Sequence, residues 1–316
     1  MVFFVIATSV GIAQQIRELP TAKITIRAVD ESRQSLPGAA VTISFEQPIP
    51  KWGGGDALTI KGITNIDGDF GASGHSFDTK GGQVTKEGFY PGWARSVKFE
   101  KALDGKWQPW NPRVEVILKK IVNPIPMYAR HIETQIPALD AAVGFDLLES
   151  DWVAPSGHGK VSDLIFKVSK RVASFHDFGS ELQLTFANNG DGVQAMPPDK
   201  SGSELRSPHS GPELGYGASI SLLQGNSKEH GEYGTKGDNQ GYFIRVRTVM
   251  DSRGDVASAL YGKIYGGIEY FPVSYKTAKL RFTYYLNPTP NDRNIEFDPK
   301  RNLFTNLKDD ERVTAP

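Results

Sequence analysis

Asp146, Glu149 and Asp151 form the densest carboxylate group in the chain. Paired carboxylates flanking a sugar bond are the machinery of glycoside hydrolysis, at separations of about 5–5.5 Å or about 6.5–9.5 Å. On a shared strand, Glu149 and Asp151 would lie on one face, about 6.6 Å apart along the backbone. That spacing permits the chemistry, but any strand with acids at i and i+2 does the same. These acids also fall in a Pro-punctuated stretch that reads as a linker, where solvated charge is the plainer expectation.

Other chemistries leave weaker traces. Gly157-His158-Gly159-Lys160 hints at a phosphate loop, but Val161 stands where Ser or Thr is required and the earlier Gly of that motif is missing. No Ser is flanked by Gly on both sides at the spacing of a nucleophile elbow. The histidines His75, His131, His158, His176, His209 and His230 contain no i,i+2 or i,i+4 pair, so no local metal-ligand spacing exists. Asn188-Asn189-Gly190-Asp191-Gly192 and Asp67-Gly68-Asp69 place oxygen ligands beside glycine, as calcium loops do, without EF-hand spacing. Hairpin turns account for both. The chain has no cysteine, which excludes disulfides, thiol nucleophiles and Cys-zinc sites. No catalytic residue, metal site or cofactor is therefore expected.

The five tryptophans are Trp52, Trp93, Trp107, Trp110 and Trp152, all in Gly- or Pro-rich segments of the first half. Exposed indole rings offer flat surfaces to sugars or peptides, and aromatic residues concentrate at binding surfaces. Trp93, Trp107, Trp110 and Trp152 are the candidate ligand-binding residues. The competing expectation is that they close the ends of a sandwich. Trp107 and Trp110, each close to a proline, look like a rigid clamp at a domain junction.

The elements that must position these residues are strands. In Ala22–Val29, Ile24, Ile26 and Ala28 alternate with Lys23, Thr25 and Arg27, the period of a half-buried strand. Val41, Ile43 and Phe45 repeat the pattern after the turn Leu36-Pro37-Gly38-Ala39, and Val114, Val116 and Leu118 repeat it against Arg113, Glu115 and Lys119. Asp67-Gly68 supplies a turn in which glycine takes positive φ without strain, and Phe70 then opens a strand and plugs the core. Pro37-Gly38-Ala39-Ala40-Val41, Thr64-x-x-Asp67-Gly68-x-Phe70 and Lys86-Glu87-Gly88-Phe89, in that order, resemble the carboxypeptidase regulatory-like domain. The resemblance covers residues 20–120. It implies a transthyretin-like Greek-key sandwich, no catalytic residues, and a role as an attachment, spacer or adhesion module on exported proteins. The Gly53-Gly54-Gly55 insertion and the Trp107–Pro112 segment depart from the pattern.

Residues 121–159 read as a Pro-rich junction, with Leu139–Ser150 as one short helix interrupted by Gly144. Strands return over residues 160–310: Val161–Val172, Glu181–Ala187, Tyr242–Met250, Ala257–Phe271, and a hairpin of Lys279–Leu286 with Asn294–Asp298. Residues 188–240 read as one long polar loop. This half resembles exported bacterial proteins that carry no assigned activity.

The chain has 316 residues, and Lys plus Arg equals Asp plus Glu at 36 each, so the basic excess of a nucleic-acid binder is missing. Residues 1–13 are an apolar run ending in small residues, with Gly11 and Ala13 placed as at a secretory cleavage site, though the usual positive leader is missing. The run is too short to span a bilayer, and no other stretch suits a membrane helix. The sequence thus predicts an all-β, two-domain protein, secreted or periplasmic. Its expected role is noncatalytic binding or structure at the cell envelope, with a polysaccharide or envelope protein as partner. The alternative is a carboxylate-based glycan hydrolase.

Overall fold

The computed structural model describes residues 19–48, 55–235, 241–273 and 276–316. The signal expected at residues 1–13 and Trp52 lie outside the described residues. Among those residues there is no α-helix, only a 3-10 turn at Pro299–Arg301. The protein is all-β. It divides into two compact units, Met1–Ile121 with Lys200–Arg206, and Val122–Asp199 with Ser207–Pro316.

The first unit carries strands β1 (Thr21–Val29), β2 (Ala40–Pro48), β3 (Gly55–Ile63), β4 (Asp69–His75), β5 (Asp78–Thr85), β6 (Gly92–Ala94), β7 (Lys101–Leu103), β8 (Lys106–Gln108) and β9 (Arg113–Ile117). One sheet has the order β3-β2-β5-β6. The other is built around β1, which pairs antiparallel with β4 and parallel with β8 and β9. The alternation in the sequence decides which face goes inward. Ile24, Ile26 and Ala28 from one sheet share a core with Val41, Ile43, Phe45 and Val84 from the other, so the two sheets form a sandwich. Val116 and Leu118 join that core as the pattern predicts, whereas Lys119, expected outward, is only 8% exposed.

The Asp67-Gly68 turn forms as read. Gly68 has φ +78°, and the Asn65 carboxamide oxygen accepts the N–H groups of Asp67 at 3.0 Å and Asp69 at 2.9 Å. Phe70 packs its ring into the space left by Gly62, where an added Cβ would lie 2.0 Å from the ring. The segment Lys200–Arg206 also belongs to this unit. Trp93 N–H donates to the Gly202 carbonyl at 2.9 Å, and Glu204 N–H to the Pro91 carbonyl at 2.8 Å.

The second unit carries β10 (Tyr128–Gln135), β11 (Val143–Asp146), β12 (Asp151–Trp152), β13 (Leu164–Ser174), β14 (Asp177–Thr185), β15 (Gly192–Ala195), β16 (Ser219–Ser227), β17 (Gly231–Gly234), β18 (Gly241–Met250), β19 (Val256–Phe271) and β20 (Lys279–Leu286). Two antiparallel sheets result, ordered β10-β20-β19-β18-β15 and β12-β11-β13-β14-β16-β17. Their facing residues share one core, in which Phe282 meets Phe145 edge-on at 5.6 Å and lies 5.8 Å from Phe166.

Several expectations are corrected here. Residues 121–159 are not a free-standing junction, because they supply β10, β11 and β12 to the second unit. Leu139–Ser150 forms no helix. Its buried residues Val143, Phe145 and Leu147 follow the period of two, and Gly144 sits so close to Ser162 that an added Cβ would lie 2.1 Å from the Ser162 hydroxyl. Residues 188–240 are not one loop, since β15, β16 and β17 lie within them. Asn294–Asp298 does not pair with β20. The Asn287 side chain closes that turn on Asp292 and Asn294, after which Ile295 N–H donates to the His209 carbonyl and Phe297 bridges Ile125.

The edges of the β10–β15 sheet are covered. Along β10, the Asn302 side chain bonds both the N–H and the carbonyl of Ala129, at 3.3 and 2.7 Å, and His131 N–H donates to the Glu311 carbonyl at 2.9 Å. Phe304 packs edge-on against Tyr128 at 5.0 Å. Along β15, Val193 and Gly217 exchange two backbone bonds at 2.8–2.9 Å. An uncovered edge invites pairing with another chain.

Candidate functional site

The acids singled out in the sequence are built into the second unit rather than solvated in a linker. Asp146, 1% exposed, ends β11 and accepts the N–H groups of Leu148, Glu149, Lys160 and Val161 at 2.9–3.1 Å. Burial pushes its pKa up, but these bonds outweigh burial and hold the carboxyl below its ordinary value. Arg247 Nη2 also donates to it at 2.9 Å. Asp163, 1% exposed, takes a bidentate bond from Arg247, and burial leaves its pKa raised. Arg247 reaches both acids from a bulge in β18 at φ +55°.

Glu149 lies in a turn and pairs with Lys160, so it does not share a strand with Asp151. Asp151, on β12, accepts Trp152 N–H and His158 N–H, each at 2.8 Å, and the His158 ring at 3.2 Å. The Gly157–Lys160 segment is thus a turn wrapped on Asp151, not a phosphate cradle. In the second glycine-rich motif, Asp191 accepts the Thr248 N–H at 2.7 Å and the Asn188 amide at 3.0 Å. Among the described residues no group of three His, Asp or Glu side chains is arranged to hold a metal ion.

The structure separates the four candidate tryptophans. Trp152 is 5% exposed and edge-on to Phe145 and Phe166 in the second unit's core. Trp107 lies on β8, stacks on Phe99 at 5.7 Å and donates its indole N–H to the Ser76 carbonyl at 2.6 Å, both partners within the first unit. Trp93, on β6, and Trp110 are 45% and 38% exposed, and Lys106 Nζ sits 5.2 Å above the Trp110 ring. Trp93, Trp107 and Trp152 lie on short strands.

A different aromatic group stands out in the second unit. Phe175, Phe178, Tyr233 and Phe271 line a cavity of about 340 Å³ together with Gln224 and Glu232. Phe175, Tyr233 and Phe271 are 67%, 48% and 36% exposed. A second cavity of about 470 Å³, bordered by Gly266, Gly267 and Tyr270, shares Gln224 and Phe271 with the first. Tyr270 ties the two sheets together beside it, its hydroxyl lying 3.1 Å from the Ser180 carbonyl and 3.0 Å from that of Leu222.

The outer face of the six-stranded sheet is set by register. Leu182 and Leu184 of β14 point into the core, so Gly179, Glu181 and Gln183 point outward. Arg171, Gly179, Gly225 and Tyr233 form one cross-strand row on that outer face. The Tyr233 ring lies across the two glycines. A Cβ added at Gly225 would meet Tyr233 Cζ at 2.1 Å, and one at Gly179 would meet the Tyr233 hydroxyl at 3.0 Å. Two rows away, Lys167, Gln183 and Ser221 stand side by side. Between the rows, Glu181 accepts from the Ser221 hydroxyl and from the Gln183 amide, bonds that hold its pKa below the ordinary value. The sequence signal for this platform is a glycine on each of two strands facing an aromatic on a third, which is visible only once the strands are paired.

No family model matches the chain, and no curated protein matches it either. Among solved structures, the Streptococcal ancillary pilin aligns at 12% identity with a TM-score of 0.20, over 83% of this chain and 58% of that one. A mutant of shaft pilin spaA from Lactobacillus rhamnosus GG aligns at 14% identity and a TM-score of 0.21, over 87% of this chain and 94% of that one. BcpA, the major pilin subunit of Bacillus cereus, aligns at 12% identity and a TM-score of 0.23, over 83% and 95%. Scores this low do not describe a shared fold.

Proposed function

We propose that the chain is an exported, noncatalytic binding module of the cell envelope, with its binding surface on the second unit. The observation that carries this reading is the set of exposed aromatic side chains, Phe175, Tyr233 and Phe271, around one cavity in that unit. Monomeric proteins keep large apolar side chains exposed in groups chiefly where something binds. The first unit serves as the spacer or attachment module that its resemblance to carboxypeptidase regulatory-like domains implies. The hydrolase reading is disfavoured by what the acids do. Asp146, Asp151 and Asp163 direct their oxygens to backbone N–H groups, and Arg247 bridges two of them.

The test is retention of residues 14–316 on insoluble peptidoglycan and a panel of insoluble polysaccharides, and on immobilised envelope proteins. Retention on one of these supports the reading. Retention on none contradicts a binding role and leaves a spacer role.

A further inference from the structure

We propose that the outer face of the six-stranded sheet in the second unit is a site for a neutral glycan chain, stacked on Tyr233. The inference rests on the binding role just proposed and names its ligand class.

A sugar ring is amphipathic, with C–H groups on its faces and hydroxyls around its rim. A site for it needs a flat apolar surface with hydrogen-bonding groups beside it. Tyr233 supplies the surface. Its ring crosses from Gly225 to Gly179 because neither residue has a side chain to lift it, and it stays 48% exposed. Any side chain at position 225 would occupy the ring's place, at 2.1 Å from Cζ. The ring is therefore held down by the sheet, its inner side against backbone and its outer side open.

The hydrogen-bonding groups stand on the same face. Gln183 and Ser221 are paired side by side, and Glu181 orients both. Rows on one face of a strand are about 6.8 Å apart, so a ligand touching both Tyr233 and the Gln183–Ser221 row spans roughly 13–14 Å, more than one sugar unit. An oligosaccharide fits this, and a monosaccharide does not.

Charge and apolar content exclude the other occupants. Lys167 and Arg171 are balanced by Glu181 and Asp177, and Arg171 bonds Asp177 at 2.8 Å. A polyanion finds no surplus of positive charge here. A protein partner requires a core of apolar anchors; on these rows the exposed large apolar groups are Leu223 and Tyr233, while Phe175 and Phe271 border the cavity beside Tyr233 and lie off the rows.

The experiment is calorimetric titration of the chain with cellohexaose, laminarihexaose and chitohexaose, with heparin as a polyanion control. At least one neutral hexasaccharide is expected to bind and heparin is not. Tyr233→Ala is expected to weaken binding by roughly tenfold or more, equivalent to loss of one stacked ring, and Tyr233→Phe to leave it within about threefold. Gly225→Ala keeps the ring but displaces it, and is expected to weaken binding as Tyr233→Ala does. Thermal melting of each variant separates loss of the site from loss of the fold, and Tyr233→Phe, which disturbs no packing, keeps the comparison valid if Gly225→Ala fails to fold. Equal affinity in Tyr233→Ala overturns the site. Binding of heparin instead of the neutral sugars overturns the ligand class. If no sugar binds while the chain is retained on an envelope protein, the glycan inference falls and the binding module stands. If nothing is retained, both fall.

Discussion

Arg247 grips Asp163 through two parallel bonds, Nε to Oδ1 at 2.8 Å and Nη2 to Oδ2 at 2.9 Å. Asp163 passes the constraint on by accepting Leu147 N–H at 2.8 Å, and Arg247 also reaches Asp146. The three side chains brace the loops on either side of β12. Removing the guanidinium takes the bonded cation from two buried carboxylates, which costs about 3–5 kcal/mol. Arg247→Met is therefore expected to lower unfolding stability by that amount in urea or guanidinium titrations. A change under about 1 kcal/mol would show that the network is relaxed in solution.

The same network sets an acid response. Asp146 has a folded pKa below its ordinary 3.8, so its contribution is present above that value and is lost as pH falls through the folded pKa. Asp163 has the opposite sign: its raised pKa favours protonation in the folded state, which partly offsets the loss on acidification. Asp146→Asn should thus flatten the decline of stability below about pH 4, whereas Asp163→Asn should remove the gain that develops above about pH 4, as pH falls from the raised folded pKa of Asp163 toward its ordinary value. Melting temperatures across pH 2.5–6, roughly the carboxylate range, measure both slopes.

Trp152 and Trp110 provide a contrast between indoles that differ in burial. Trp152→Ala is expected to cost about 3–5 kcal/mol, as for other buried aromatic truncations. Trp110→Ala should stay within about 0.5 kcal/mol, as for exposed positions. Denaturant midpoints decide it.

Gly68 is required by its turn. Its φ is +78°, and an added Cβ would lie 2.5 Å from the Ala28 carbonyl oxygen. Gly68→Ala should destabilise the first unit by about 1–3 kcal/mol or more, read from the denaturation of that unit's strands by hydrogen exchange.

The C-terminal segment guards an edge. Truncation after Asn302 removes Phe304 and Glu311, which pack on and bond to β10. The exposed β10 edge should then drive dimers or larger species, visible by light scattering, whereas the full chain should not show that association. A truncated chain as monomeric as the full one would show that the segment guards nothing.

Strand periods and glycine turns were readable in the sequence wherever one face of a strand is apolar and the other polar. Ile24-x-Ile26-x-Ala28, Val41-x-Ile43-x-Phe45 and the Asp67-Gly68 turn are examples, because each depends on neighbours along the chain. Leu139–Ser150 reads as a helix because Leu139, Val143 and Leu147 fit a spacing of four, and only the burial of Phe145 reveals the period of two. Strands β16 and β17 were lost among polar residues because their outward face is solvated and β17 is exposed throughout. The candidate site was hidden for a related reason. Local composition does not separate the core Trp152 from the exposed Trp110, and the Gly179–Gly225–Tyr233 row exists only through the pairing of three strands.

A noncatalytic binding module holds a polysaccharide without cleaving it. The most direct test is to incubate the chain with a polysaccharide that retains it and measure reducing ends in the supernatant over a day, against a protein-free control. The expected result is retained protein and no reducing ends above that control. A steady rise in reducing ends, abolished by replacing a single Asp or Glu in a variant that still folds, would contradict it and restore the carboxylates as catalytic groups.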